Sequence, residues 1–81
     1  MKIRLKTTGI MSDYLPDGAV GGQVELELPE QANFSVLVRT LAIPDEEQYV
    51  VSINDSLVPE PHDVRLCDGD RIIIMAPLAA G

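Results

Sequence analysis

The sequence predicts an α+β domain in which a mixed sheet of four or five strands carries one main helix on one of its faces. Three observations point there. Residues 2–7 and 23–28 alternate apolar and polar side chains with the period of two that marks a half-buried strand. Only one segment, starting at Phe34, has helical spacing. An apolar run at residues 71–75 has the length of a buried strand. One helix covers only one side of a sheet, so the other side is expected to lie open.

In the first strand Ile3, Leu5 and Thr7 share one face and Lys2, Arg4 and Lys6 the other. The second repeats this with Val24, Leu26 and Leu28 inward and Gln23, Glu25 and Glu27 outward, until Pro29 stops the run. If the two pair, Lys2, Arg4 and Lys6 lie across from Glu25 and Glu27, each favourable pair adding roughly 0.2 to 1 kcal/mol. Residues 12–22, rich in Gly, Pro and Asp, read as a long connecting loop and the least ordered stretch. Asn33 can cap a helix whose apolar residues Phe34, Leu37, Val38 and Leu41 fall at i, i+3, i+4 and i+7, with Pro44 preventing continuation. Tyr49 to Ile53 is a β-branched strand, Asn54-Asp55 a turn, and Leu57-Val58 a brief return before Pro59 and Pro61. Asp68-Gly69-Asp70 turns sharply into Arg71 to Met75, which Pro77 ends. This order is a β-grasp arrangement for residues 1–75, followed by a flexible C-terminal tail over residues 76–81. In the last strand Ile72 and Ile74 point one way and Ile73 and Met75 the other. A strand apolar on both faces belongs in the middle of the sheet, so Ile73 and Met75 are expected to form a partner-binding patch on the uncovered face.

At 81 residues the chain has room for one compact domain and not for a deep enclosed active site. Its 46% hydrophobic and 23% charged residues balance as in a globular domain. No apolar run approaches the ~20 residues of a bilayer span, and the charged, alternating N-terminus has no secretory pattern. A lone cysteine argues against a disulfide framework, so a cytoplasmic location is expected. The formal charge of −7 repels phosphate backbones and anionic lipids, which disfavours nucleic acid and membrane as partners. It suits either steering towards a basic patch on another protein or plain solubility.

Catalytic constellations are missing, so no enzyme is expected. His62 reads as an exposed loop residue and Cys67 as a small semi-buried hydrophobe rather than a nucleophile. Asp68 and Asp70 read as turn formers, and no metal site is expected because the rest of a calcium loop is absent. What remains is the tail, Ala76-Pro77-Leu78-Ala79-Ala80-Gly81, which has no charged or bulky polar side chain. Such a segment either frays or threads a narrow channel and brings its carboxylate to a reactive phosphate.

The chain resembles the ubiquitin-like sulfur carriers, which comprise the small subunit of molybdopterin synthase and the thiamine-pathway sulfur carrier. The likeness spans nearly the whole chain. It is carried by Val51 to Val58, by Leu66-Cys67-Asp68-Gly69-Asp70 leading through Ile72 and Ile74 to a proline and a small-residue tail, and by Pro29 to Pro44 around the helix. The resemblance implies that Gly81 is adenylated by an adenylyltransferase related to ubiquitin-activating enzymes. A sulfur donor then turns it into a thiocarboxylate. ATP and the sulfur donor are used by that partner, and no cofactor is bound by the carrier itself. The sulfur-accepting partner would be the molybdopterin synthase large subunit or a thiazole synthase, and the chain's length and its 12–22 loop look more like the molybdopterin type. The family typically ends in Gly-Gly, whereas this sequence has Ala80-Gly81, and alanine disfavours positive φ. A second reading is a β-grasp interaction module that binds through its sheet and never becomes thiocarboxylated.

Overall fold

The structure, a computed structural model, describes residues 1–77. Five strands form one sheet: β1 (Lys2–Thr7), β2 (Gln23–Glu27), β3 (Val50–Ile53), β4 (Ser56–Leu57) and β5 (Arg71–Met75), in the spatial order β2-β1-β5-β3-β4. β1 and β5 run parallel at the centre; the other neighbours are antiparallel. The β1–β2 register places Lys2 opposite Glu27, Arg4 opposite Glu25 and Lys6 opposite Gln23, the alignment the alternating charges predict.

The one α-helix among the described residues, α1 (Phe34–Leu41), begins where Asn33 Oδ1 accepts from the Val36 N–H at 3.1 Å. That bond satisfies one of the helix's otherwise free N-terminal donors. It ends on Ala42, whose φ of 57° is the left-handed closure that glycine usually supplies. The helix buries Phe34, Leu37, Val38 and Leu41 against Ile3, Leu5, Ile72 and Ile74 from the two central strands. Ile72 and Ile74 are fully buried, whereas Ile73 and Met75 on the opposite face are half-buried, as expected from a single covering layer.

Three expectations need correction. The loop read over residues 12–22 begins inside a 3-10 helix, Gly9–Tyr14, whose Met11 is fully buried in the core. It is fastened by a Thr7–Ser12 hydroxyl pair at 2.9 Å and by the Tyr14 hydroxyl donating to Glu47 Oε2 at 2.8 Å. The return strand is Ser56–Leu57 rather than Leu57-Val58, because Asn54 and Asp55, at φ 51° and 72°, make the two-residue turn that brings Ser56 opposite Ile53. Cys67 is exposed, since the turn that follows it points its side chain outward while Leu66 takes the buried position.

Residues 61–66 also lie closer to the helix than their sequence suggests. The Phe34 N–H donates to Val64 O at 2.9 Å and the Leu66 N–H to Ala32 O at 2.9 Å, with a bridge between Asn33 and Arg65. His62 is exposed, as expected, but its ring also meets Phe34 and Tyr49 edge-on, with centroids 6.0 and 6.5 Å apart. Among the described residues no helix is long and apolar enough to cross a membrane.

Candidate functional site

The open face of the sheet is built by strand parity. Side chains opposite the helix come from Lys2, Arg4 and Lys6 on β1, Arg71, Ile73 and Met75 on β5, Val50 and Ser52 on β3, and Leu57 on β4. Ile73 lies between Lys6 and Ser52, and Met75 pairs with Val50. The predicted pair Ile73 and Met75 is thus the centre of a wider apolar strip that includes Val50, 40% exposed, and Leu57, 69% exposed. Sequence reasoning missed these two, although alternation along Val50–Ile53 already turns Val50 outward when Val51 is buried.

Charge is segregated on this face. Four of the six basic residues, Lys2, Arg4, Lys6 and Arg71, lie on it although the chain is acidic overall. Their acidic neighbours neutralise them only in part. Arg4 Nη2 reaches Glu25 Oε2 at 3.5 Å with both side chains 61% exposed, a contact worth little in water. Glu27 instead meets the Met1 ammonium at 3.0 Å, so Lys2 and Lys6 make no salt bridge among the described residues. The face therefore offers an apolar strip flanked by free cationic groups, suited to a partner with an acidic margin.

At one end of this strip β5 delivers the chain towards the tail. The Thr8 N–H donates to Ile74 O at 3.1 Å, and Gly9, at φ 58°, lies so close that a Cβ there would come within 2.9 Å of the Ala76 Cβ. Only glycine permits this approach. Ala76 is half-buried and packs against the core, whereas Pro77 is exposed. Leu78, Ala79, Ala80 and Gly81, the rest of the predicted reactive tail, lie outside the described residues.

The segment Leu66 to Asp70, which carries much of the resemblance, has a structural task. Asp68 Oδ1 accepts from the Lys2 N–H at 2.8 Å and fastens the turn to β1. Asp70 accepts from the Cys67 N–H through Oδ2 at 2.8 Å and from Asn54 Nδ2 through Oδ1 at 2.9 Å. Asn54 in turn accepts from the Arg71 N–H at 2.9 Å, and Gly69, at φ 85°, closes the bend. These residues fix the entry into β5; the turn-forming reading of both aspartates holds.

The sequence model of the ThiS family matches residues 17–81. Among curated proteins nothing matches. Solved structures of similar shape include a Pyrococcus furiosus protein assigned as subunit 1 of molybdopterin converting factor. It is 23% identical with a TM-score of 0.72, and the match covers 95% of this chain and 98% of that one. A chain from the complex of subunits 1 and 2 of molybdopterin-converting factor of Helicobacter pylori 26695 is 16% identical over the whole of both chains, with a TM-score of 0.67. SAMP1 from Haloferax volcanii is 14% identical, also over the whole of both, with a TM-score of 0.70. At these identities the structures establish the ubiquitin-like β-grasp fold, and the sequence match establishes the lineage. The chain belongs to the ThiS family, a family of ubiquitin-fold sulfur carriers.

Proposed function

We propose that the protein carries sulfur as a thiocarboxylate on Gly81 and donates it in cofactor biosynthesis, the molybdopterin type being preferred. The observation that carries this reading is the family match, which runs through the side-chain-poor tail to Gly81 itself. In the proposed cycle a Gly81 carboxylate oxygen attacks the α-phosphorus of ATP on an adenylyltransferase related to ubiquitin-activating enzymes, and pyrophosphate leaves. A sulfide-equivalent donor then attacks the acyl carbon and AMP leaves, giving the thiocarboxylate. Adenylation replaces a poor leaving group by a good one.

The open face with Ile73 and Met75 is the docking surface in this reading, and Ala76 and Pro77 set the direction in which Leu78, Ala79, Ala80 and Gly81 reach the partner's active site. A large subunit is the proposed acceptor, by analogy with the Helicobacter pylori complex of subunits 1 and 2. Cytoplasmic residence follows from the same reading.

Intact mass spectrometry tests it. After incubation with an adenylating enzyme, ATP and sulfide, exchange of one oxygen for sulfur adds about 16 Da. The gain should map to the C-terminal peptide and be absent when Gly81 is deleted. An unchanged mass under conditions that sulfurate a related carrier would favour the module that binds through its sheet without being activated.

A further inference from the structure

A second surface lies on the other side of β3 from the open face: a groove of about 920 Å³ between the segments 44–51 and 58–63, with Pro77 at its edge. Its floor is aromatic. Tyr49 and His62 stand edge-to-face with ring centroids 6.5 Å apart, both braced on the buried ring of Phe34. Its walls are apolar and stiff, formed by Val58 and by Pro44, Pro59 and Pro77, which have no N–H to offer a ligand. Its rim is acidic. Asp45, Glu60 and Asp63 line it without a cationic partner among the described residues, and no lysine or arginine borders it. Burial and the neighbouring Asp45 carboxylate push the Tyr49 phenol above its usual range.

We infer that this groove seats an extended segment of a partner protein in which arginine alternates with apolar residues. An arginine can lay its guanidinium on the Tyr49 ring and point its N–H fork at the rim carboxylates, while the intervening apolar side chains cover the proline walls. A polyamine would answer the charge but leave those walls wet. The prolines add little conformational entropy cost on binding, because their φ is already fixed.

The groove is continuous with the open face. Val50 lines it and pairs with Met75 on that face, and Pro77 brings the root of the tail to its edge. One partner can therefore grip an apolar, cation-flanked face and an anionic groove that meet near Pro77. Only this joint grip by one partner rests on the sulfur-carrier reading.

The test is titration of the ¹⁵N-labelled full chain with acetyl-Leu-Arg-Val-Arg-Leu-Arg-amide, with the same peptide bearing citrulline in place of each arginine, and with spermine. Amide shifts are expected at Gln48, Tyr49, His62 and Asp63 with the arginine peptide. Affinity should fall about tenfold or more with the citrulline peptide, and likewise in the Asp45→Asn/Asp63→Asn variant, whose sites are exposed and leave the core untouched. Tyr49→Leu should weaken the arginine peptide while keeping an apolar floor. Equal binding of the citrulline peptide, equal shifts and affinity with spermine, or an equal loss in a Glu25→Gln/Glu27→Gln control would each overturn the inference. Deleting Gly81 should leave peptide binding unchanged, and the Asp45→Asn/Asp63→Asn variant should still gain sulfur on an adenylating enzyme that lacks a basic segment. The two readings can thus fail separately.

Discussion

Asp68 and Asp70 sit two positions apart and hold different things: one ties the turn to β1 and the other ties it to Cys67 and Asn54. The identity of Asp70 matters because a carboxylate with two acceptor oxygens can serve a backbone N–H and a side-chain amide together. The same economy appears at Tyr14, whose hydroxyl bond to Glu47 joins the 3-10 helix to the segment before β3. That bond, with burial and the Glu47 charge behind it, raises the Tyr14 phenol above its ordinary value. A proton donor whose folded pKa exceeds its unfolded value stabilises the fold fully below the unfolded value, about pH 10, and loses that contribution as pH climbs through the folded value. Wild type should therefore lose thermal stability between neutral pH and pH values beyond about 10 more steeply than Tyr14→Phe, and the variant should melt lower at neutral pH. Melting curves of both across that range check it; parallel curves would mean the hydroxyl bond contributes nothing to folding.

At the scale of elements, β5 is the strand on which core and surface meet, and its two faces make opposite predictions. Ile72 is fully buried with Phe34, Leu37 and Leu41, so Ile72→Ala should cost about 2 to 5 kcal/mol. Ile73→Asp should cost much less stability, because the new charge stands on the open face beside Lys6. In a partner complex the same aspartate would be desolvated at the centre of the apolar strip and should weaken binding by about 1 kcal/mol or more. Denaturant unfolding and partner titration of the two variants decide it, and an unfolded Ile73→Asp beside a folded, weakly binding Ile72→Ala would reverse the assignment. The doubly apolar run made this strand legible in advance, as the Asn33 cap and the Phe34, Leu37, Val38, Leu41 spacing did for the helix. The 3-10 helix was not legible: Met11 is buried while the adjacent Ile10 is exposed, too short a pattern to show a period, and the anchors, Thr7–Ser12 and Tyr14–Glu47, join residues whose spacing has none. The exposure of Cys67 and the docking of residues 61–66 on the helix N-terminus were hidden for a related reason. The docking is set by backbone hydrogen bonds, which any side chain permits, and the exposure of Cys67 by a turn in which its N–H donates to the Asp70 carboxylate.

Across the whole molecule the core and the proposed chemistry occupy separate parts of the chain. Among the described residues the buried apolar core runs from Ile3 to Ile74, and the last strand of the sheet ends at Met75. Beyond Ala76 and Pro77 the sequence offers Leu78, Ala79, Ala80 and Gly81, none of which has a polar side chain. Truncation after Pro77 should consequently leave the melting midpoint within a few degrees of the full chain, since a loss of 1 kcal/mol in a domain of this size moves it by roughly 4 to 8 °C. The same truncation should abolish gain of sulfur, because the carboxylate it exposes lies four residues short of Gly81 and cannot reach a site shaped for the longer tail. Parallel measurement of the melting midpoint and of intact mass after incubation with an adenylating enzyme, ATP and sulfide reads both halves. A stable but unreactive truncation is the expected pair of results. A midpoint depressed by more than about 8 °C would mean that residues 78–81 belong to the fold, and a truncation sulfurated as fast as the full chain would place the reactive carboxylate elsewhere than Gly81.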